Sequence, residues 1–300
     1  MPKVRILSLD GGGLRGAFSA AFLAHLEKQL SQPLVKHFDL IAGTSTGAII
    51  ALGLAAGLSA AEILDFYRKK GPLIFPRPAG IWRRTFGPGH DGTALRSALR
   101  DVFGSKTLSD ALVKVAVPTL DLATGQTRVW KTDHHPDLHG GGALAMWEVA
   151  LASAAAPTFL PPVQIGGMGA FVDGGLWANN PSIVAIVEAL KYCNAALKDI
   201  VMLSVGTGRQ TKWYGFEDLL RRGVLGWGRD LFSVVSSAQS LAAVNQATLL
   251  IEPGQFLRVD VDLARSIGLD DAREITHLEH LGNTAGLNHR NGVKALIETQ

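Results

Sequence analysis

The sequence has little of several features that would by themselves define a class of protein. Its 300 residues include one cysteine, Cys193, so no disulfide can form within the chain, which favours a reducing compartment. The longest uninterrupted apolar run, Ala48 to Leu58, is far shorter than the roughly 20 residues of a membrane-spanning helix. Charged residues make up only 18%, and a formal net charge of +3 is too small to indicate binding to a nucleic acid polymer.

Other absences concern how the chain is divided. It contains no internal repeat, low-complexity tract or Ser/Pro-rich linker, so we expect residues 1–300 to form a single domain. We see no secretory signal pattern before the first predicted strand, and we therefore expect a cytoplasmic protein. The hydrophobic fraction of 47% is sufficient for a substantial core.

Predicted strands and helices alternate along the chain, which is typical of an α/β fold. The predicted strands cover residues 4–9, 38–42, 114–120, 127–131, 169–173, 200–205 and 256–261. The predicted helices cover residues 17–30, 48–54, 59–70, 93–103, 146–156, 182–192 and 230–250, and two C-terminal helices follow, the last over 283–298.

The most informative stretch is the pentapeptide Gly43-Thr-Ser45-Thr46-Gly47, which lies between an apolar strand and an apolar helix. This is the pattern of a nucleophile elbow, a sharp strand-to-helix turn that exposes the serine oxygen. Glycines two positions to either side allow the strand and helix to pack closely around a strained turn. The helix N-terminus also favours developing negative charge. The five residues alone are a weak match, and an inert glycine-rich turn is the less favoured alternative.

A second glycine motif, Gly11-x-Gly13-x-x-Gly16, follows the first predicted strand and opens a helix. This spacing matches the dinucleotide-binding fingerprint, which would make the protein an oxidoreductase. The fingerprint requires an acidic residue at the C-terminal end of the second strand, whereas Asp39 stands at the start of that strand. The oxidoreductase is therefore the disfavoured alternative.

The same glycine loop suits a different role. Ligands of open α/β sheets bind at the C-terminal ends of the strands, so this loop and Ser45 are expected to be neighbours. The amides of Gly11, Gly12 and Gly13 can point at an oxyanion because no side chains shield them. Arg15 either holds the loop or adds positive charge, and a plain surface arginine is an equal alternative.

Two further stretches carry ionisable groups. A short strand delivers Asp173 into a turn with Gly174 and Gly175, which is either an active-site position or an Asx-type turn. The segment 132–139 holds three histidines and two aspartates, but its proline and the glycines after it indicate a loose loop. We therefore predict a solvated loop there and no metal.

The segment 71–92, rich in glycine and proline, is predicted to be irregular, as lids and binding loops often are. Its aromatic residues either cover the core or form, with nearby arginines and lysines, a surface for anionic lipid. The segment 213–222 and the helix after it either cap the site, dock to a membrane or mediate oligomerisation.

The glycine loop with Arg15, the Ser45 pentapeptide and the Asp173-Gly-Gly turn, in that order, resemble the motifs of the patatin-like phospholipase family. Ala152-Ser153-x-x-x-Pro157 resembles another segment of that family. The resemblance covers residues 3–205. It implies a three-layer α/β/α fold with a mainly parallel central sheet, and a catalytic dyad of Ser45 as nucleophile and Asp173 as base.

The resemblance further implies that Gly11, Gly12 and Gly13 form the oxyanion hole, and that the substrate is a phospholipid or other lipid ester. No cofactor is needed. The only histidines after Asp173 are His277, His280 and His289, on a predicted helical segment without special turns, so the dyad is favoured over a Ser-His-Asp triad.

Within the family, the short chain resembles bacterial effectors that cyclic dinucleotides activate in anti-phage defence. This resemblance implies a cyclic dinucleotide activator, peripheral association with the inner face of the membrane, and a homo-oligomer as a further expectation. A carboxylesterase acting on soluble esters and a non-catalytic binding module remain alternatives to the phospholipase.

Overall fold

The computed structural model describes residues 3–76, 88–209, 220, 227 and 230–298. Within these residues lie eight strands: β1 (Val4–Leu9), β2 (Leu40–Gly43), β3 (Lys114–Asp121), β4 (Gln126–Lys131), β5 (Val163–Ile165), β6 (Met168–Asp173), β7 (Ile200–Val205) and β8 (Phe256–Val259). The same described ranges contain nine α-helices: α1 (Gly16–Glu27), α2 (Thr46–Ala55), α3 (Ala60–Ile74), α4 (Thr93–Phe103), α5 (Met146–Ser153), α6 (Gly175–Ala178), α7 (Ser182–Tyr192), α8 (Asp230–Leu250) and α9 (Ile275–Glu298).

The strands form one sheet in the order β5-β6-β3-β2-β1-β7-β8, with β4 paired to β3. The central strands β3, β2, β1, β7 and β8 are parallel, and β4, β6 and β5 add antiparallel pairs at one side. The parallel strands are apolar on both faces because helices cover both. The prediction of a mainly parallel α/β sheet is therefore confirmed.

Alternate residues of β1 pack against the two helical layers. Leu7 and Leu9 lie in a buried cluster with side chains of α1, α2 and α9. Ile6 points to the other face, where it joins a cluster with side chains of α7 and α8. This alternation is the two-residue period of a strand, and it produces the three layers that were predicted.

The C-terminal ends of the parallel strands meet at one edge of the sheet. The glycine loop follows β1, Ser45 follows β2, and residues 206–209 and 260 follow β7 and β8. Because β1 pairs with both β2 and β7, these segments are neighbours in space. The site is built at this edge, as expected for an open α/β sheet.

The helix α3 is longer than predicted. It begins with the predicted capping box, in which Ser59 and Glu62 bond to each other's backbone amides, but it continues through Pro72 to Ile74 instead of ending at residue 70. Gly71 packs against Ile275, and Ile74 is buried. Burial of this last turn offsets the penalty of a proline inside a helix.

The C-terminal region also differs from the prediction. One helix, α9, replaces the two predicted helices. Gly282 lies just before the predicted start of the last helix and Gly286 lies within that helix, and both face α1. A Cβ at Gly282 would lie 2.4 Å from the Phe18 carbonyl oxygen, and one at Gly286 would lie 2.6 Å from the ring of His25. These glycines permit close helix packing and do not end the helix.

Two predicted regions fall partly outside the described residues: residues 77–87 of the irregular segment 71–92, and all but residue 220 of the aromatic and basic segment 213–222. Among the helices that the structure describes, none combines the length and the hydropathy needed to cross a bilayer.

Candidate active site

Ser45 occupies the turn between β2 and α2, as the elbow pattern predicts. Its backbone angles are φ 56° and ψ −121°, a region that residues other than glycine rarely adopt. The side chain is nearly buried, and its Oγ donates a hydrogen bond of 2.7 Å to Oδ2 of Asp173. The structure thus brings together the two residues that sequence reasoning paired.

The glycines around Ser45 are required by close backbone contacts. A Cβ at Gly43 would lie 2.2 Å from the carbonyl oxygen of Gly47, and a Cβ at Gly47 would lie 2.2 Å from that of Leu9. Strand β2, strand β1 and the first turn of α2 therefore approach each other as only glycine permits. This contact holds the strained turn in place.

Replacing Gly47 with alanine should destabilise the fold by about 3 kcal/mol or more, because the new methyl group would overlap backbone carbonyls of Leu9 and Asp10 that cannot rotate away. Thermal unfolding followed by circular dichroism measures the effect. The matched control is Gly292→Ala in α9, where a Cβ meets nothing closer than 3.7 Å. A Gly47→Ala protein that melts like the wild type would contradict this account of the elbow.

Asp173 is the last residue of β6, where it pairs with Thr119 of β3. Its Oδ1 accepts a hydrogen bond of 2.7 Å from the amide of Gly175. The carboxyl group is almost completely buried, and this burial raises its pKa to about 7, against the opposing effect of the bonds from Ser45 and Gly175. Gly174 has no room for a Cβ, which would lie 2.3 Å from the Pro118 carbonyl oxygen.

The glycine loop differs from the prediction at one of its three amides. The amide of Gly11 donates to the carbonyl oxygen of Asn179 at 2.9 Å, so this donor is already used within the protein. The amides of Gly12 and Gly13 have no hydrogen-bond partner among the described residues. Of the three amides predicted to form an oxyanion hole, those of Gly12 and Gly13 are therefore available as donors, whereas the amide of Gly11 connects the loop to the segment after Asp173.

Arg15 holds the loop, which was one of its expected roles. Its Nε donates to the carbonyl oxygen of Gly12 at 3.4 Å, and its Nη1 donates to that of Gly208 at 3.2 Å. Burial lowers the pKa of this guanidinium to about 10. Thr46 also supports the loop, because its hydroxyl bonds to that of Tyr67 and lies where a Cβ of Gly16 would be.

Ser153 belongs to the predicted motif Ala152-Ser153-x-x-x-Pro157, but no role was predicted for it. Its Oγ accepts the amide hydrogen of Ser45 at 2.9 Å and donates to the carbonyl oxygen of Pro118 at 2.8 Å. Ser153 thus satisfies the buried amide of the strained elbow and ties it to β3. The spacing of Ser153 and Pro157 in the sequence indicated a family motif, but it did not show that Ser153 binds Ser45.

A buried ion pair beneath the glycine loop was missed entirely. Arg258 binds both oxygens of Asp10, at 2.9 and 2.7 Å, and one oxygen of Asp260 at 2.7 Å. Burial raises the pKa of Asp10 to about 6, although Arg258 opposes the rise. Arg258 lies 248 residues from Asp10, on β8, so no local pattern connects them.

Ser45, Asp173 and the glycine loop line one cavity, whose empty volume of about 1370 Å³ includes the open solvent at its mouth. Apolar side chains from α2, α3, α4 and the segment after α5 form much of its wall. These are Ile49, Phe66, Ile74, Phe75, Leu95, Phe159 and Leu160. No histidine is found among the described residues that line it, and the acidic side chain in hydrogen-bond contact with Ser45 is that of Asp173.

The histidine-rich segment 132–139 lies elsewhere. His134 is buried against Glu188, with Nε2 3.3 Å from Oε1, and its Nδ1 bonds to Thr132. In the part of the chain that the structure describes, no group of three or more metal-ligating side chains is arranged to hold an ion.

The protein is thus a three-layer α/β protein with a serine and a carboxylate hydrogen-bonded to each other in a cavity beside its sheet. Comparisons with known proteins identify the family. The family model described as patatin-like phospholipase matches residues 7–186. A cGAMP-activated phospholipase from Vibrio cholerae is 34% identical over 314 residues, covering 94% of this chain and 88% of that protein. One from Pseudomonas aeruginosa is 35% identical and covers 80% of this chain and 73% of its own length.

Among solved structures, the crystal structure of VipD from Legionella pneumophila covers 97% of this chain and 67% of that one, with a TM-score of 0.49 and 12% identity. On the family model and the curated relatives, the chain belongs to the patatin-like phospholipase family and is a lipid-ester hydrolase. The resemblance that the motifs indicated is confirmed.

Proposed function

We propose that the protein is a phospholipase A-type acyl hydrolase that cleaves fatty-acyl ester bonds of membrane phospholipids with Ser45 as nucleophile and Asp173 as base. The observation that carries the proposal is the 2.7 Å bond from Ser45 Oγ to Asp173 Oδ2 in the wall of a largely apolar cavity. A carboxylate with a pKa of about 7 is suited to this work, because general bases act best when their pKa is near the working pH.

In the first half of the proposed reaction, Asp173 accepts the Ser45 proton while Ser45 Oγ attacks the ester carbonyl carbon. The carbonyl oxygen becomes an oxyanion, which the free amides of Gly12 and Gly13 stabilise together with the N-terminus of α2. The C–O bond to the glycerol then breaks. Asp173 donates its proton to the departing oxygen, so the lysophospholipid leaves as an alcohol, and the acyl group stays on Ser45.

In the second half, water replaces the alcohol. Asp173 accepts a proton from the water, whose oxygen attacks the acyl-serine. The intermediate collapses to a fatty acid, and the proton returns to Ser45. One water is consumed for each ester cleaved, and no redox change occurs.

The apolar wall of the cavity supports a long acyl chain over a small soluble ester. Leu241, which lines the cavity, is 54% exposed, and Leu73, which precedes the lining residue Ile74 in the sequence, is 65% exposed. These exposed leucines support peripheral docking to a membrane. A carboxylesterase acting on soluble esters would instead show no preference for long chains or vesicles.

The relatives named cGAMP-activated phospholipases support the further proposal that a cyclic dinucleotide activates this chain and that it serves in anti-phage defence. The identity to the Vibrio cholerae protein extends over 94% of this chain, which includes parts beyond the catalytic motifs. An activated homo-oligomer completes the proposal.

Adding cGAMP to the purified protein should raise its rate of phospholipid hydrolysis by about 5- to 150-fold, the usual range of an allosteric coupling. The assay uses vesicles of a phospholipid with two different acyl chains, and mass spectrometry identifies the released fatty acid and lysophospholipid, which also assigns the position cleaved. An equimolar mixture of AMP and GMP is the control. Light scattering on the same samples tests oligomerisation. Equal rates with cGAMP and with the nucleotide mixture would remove the activator from the proposal.

A further inference from the structure

The most apolar part of the cavity wall and the part with most of the hydroxyl groups lie towards different halves of the sheet. Ser45 follows β2, near the middle of the strand order. Leu95 on α4, and Phe159 and Leu160 in the segment after α5, belong to or pack against one buried cluster with side chains of β3, β5 and β6. An acyl chain that leaves the reacting carbonyl in this direction meets almost only hydrocarbon.

The other half of the cavity is formed at the ends of β7 and β8 and by α8. Thr207, Arg209 and Arg258 belong to this side. Helix α8 faces the cavity with four serines on one helical stripe: Ser233, Ser236, Ser237 and Ser240. The same helix also contributes apolar side chains, but the hydroxyl groups are concentrated on this wall.

Two of these serines already have structural partners. Ser236 donates to the carbonyl oxygen of Gly175, and Ser240 accepts from the side-chain amide of Asn179. Ser233 and Ser237 have no hydrogen-bond partner among the residues that the structure describes. Their hydroxyls are therefore available to a ligand.

The three arginines that line the described cavity also differ in whether their hydrogen-bond donors already have partners. Arg258 is fully engaged by Asp10 and Asp260, and Arg15 by two backbone carbonyls. Arg209 is 61% exposed and binds Asp262 through Nε and Nη2, at 2.7 and 3.0 Å. Its Nη1 has no partner among the described residues. Asp262 therefore orients the guanidinium, and the N–H groups of Nη1 remain free to donate.

An arginine with a free N–H and serines with free hydroxyls, all in the wall of one cavity, supply the kind of donors that bind phosphate oxygens. Resting on the proposed function, we propose that the phospholipid lies across Ser45 with its acyl chain towards β5 and its headgroup phosphate towards β8, where Arg209 binds the phosphodiester with help from Ser233 and Ser237. Arg209 is then the residue that distinguishes a phospholipid from an ester of the same chains without phosphate.

The test compares two soluble substrates with identical chains, dihexanoylphosphatidylglycerol and dihexanoylglycerol. Arg209→Ala should lower the ratio of kcat/KM for the phospholipid to that for the diacylglycerol by about 10- to 100-fold, as expected for loss of a charge-assisted hydrogen bond. Arg209→Lys should recover part of the ratio. The matched control is Arg265→Ala, at an arginine 66% exposed and paired with Glu274, outside the cavity lining. An unchanged ratio in Arg209→Ala would overturn the inference, as would an equal fall in Arg265→Ala.

Calorimetry separates this inference from the proposed function. Dihexanoylphosphatidylglycerol is titrated into the Ser45→Ala protein, which cannot turn it over, and into the Ser45→Ala, Arg209→Ala double variant. Weaker binding to the double variant supports the phosphate site even if the wild type hydrolyses no ester. Equal binding to both, or binding to neither, overturns the site. Hydrolysis that depends on Ser45 but shows no phosphate preference leaves the proposed function intact and rejects only the role of Arg209.

Discussion

Replacing Ser45 with alanine is expected to lower kcat/KM for phospholipid by about 10⁴-fold or more, because the variant has no oxygen to form the acyl intermediate. The residual rate would come from binding and from the free amides of Gly12 and Gly13 acting on attack by water. Release of fatty acid, measured by mass spectrometry with cGAMP present, gives the ratio of rates. Rates close to those of the wild type would reject Ser45 as the nucleophile.

The fold of this variant should survive. Alanine is no more strained than serine at φ 56°. The hydrogen bond from the backbone amide of residue 45 to Ser153 Oγ does not involve the side chain that is removed. The Asp173 carboxylate loses one donor, which raises its pKa further and keeps it neutral and easier to bury. Ser105→Ala, at an exposed serine between α4 and β3, is the control and should match the wild type in both activity and melting temperature.

The motifs could be located from sequence because each meets a local backbone requirement. Gly43 and Gly47 flank Ser45 at the spacing that a strand-to-helix turn needs, and the contacts of 2.2 Å show why no larger residue fits. Helix α4 and strand β7 also have their predicted bounds, since their apolar patterns agree with their termini. In such places, local pattern and tertiary packing favour the same structure.

What could not be predicted depends on contacts between distant parts of the chain. Nothing near Gly11 in the sequence shows that its amide is bound by Asn179, 168 positions later. The pairing of Asp10 with Arg258 likewise exists only once β1, β7 and β8 are neighbours in the sheet. The continuous helix α9 has the same cause, because Gly282 is a helix breaker by propensity and a contact residue in the folded protein.

The pH dependence of activity should identify the base. Asp173 must be ionised to accept the Ser45 proton, and burial raises its pKa to about 7, so kcat/KM of the wild type should rise with pH up to about 7 and then level off. Asp173→Asn should lower kcat/KM by about 10²- to 10⁴-fold and abolish this rising limb. Asp137→Asn, at an aspartate whose side chain is 68% exposed, is the control and should keep the wild-type profile. A rising limb that persists in Asp173→Asn would assign it to another group.

The same substitution should stabilise the protein while it inactivates it. The folded pKa of Asp173 lies above its ordinary value of 3.8, so its contribution to stability is full below pH 3.8 and is lost as the pH rises towards 7 and beyond. The loss reaches about 4 kcal/mol at most, since each pKa unit corresponds to about 1.4 kcal/mol. Asparagine does not ionise, so the free energy of unfolding of Asp173→Asn relative to wild type should increase between pH 5 and pH 8, measured by urea denaturation. If the difference in the free energy of unfolding between Asp173→Asn and the wild type stays constant with pH, Asp173 titrates at its ordinary pKa. A buried base with a raised pKa would then not be what activates Ser45.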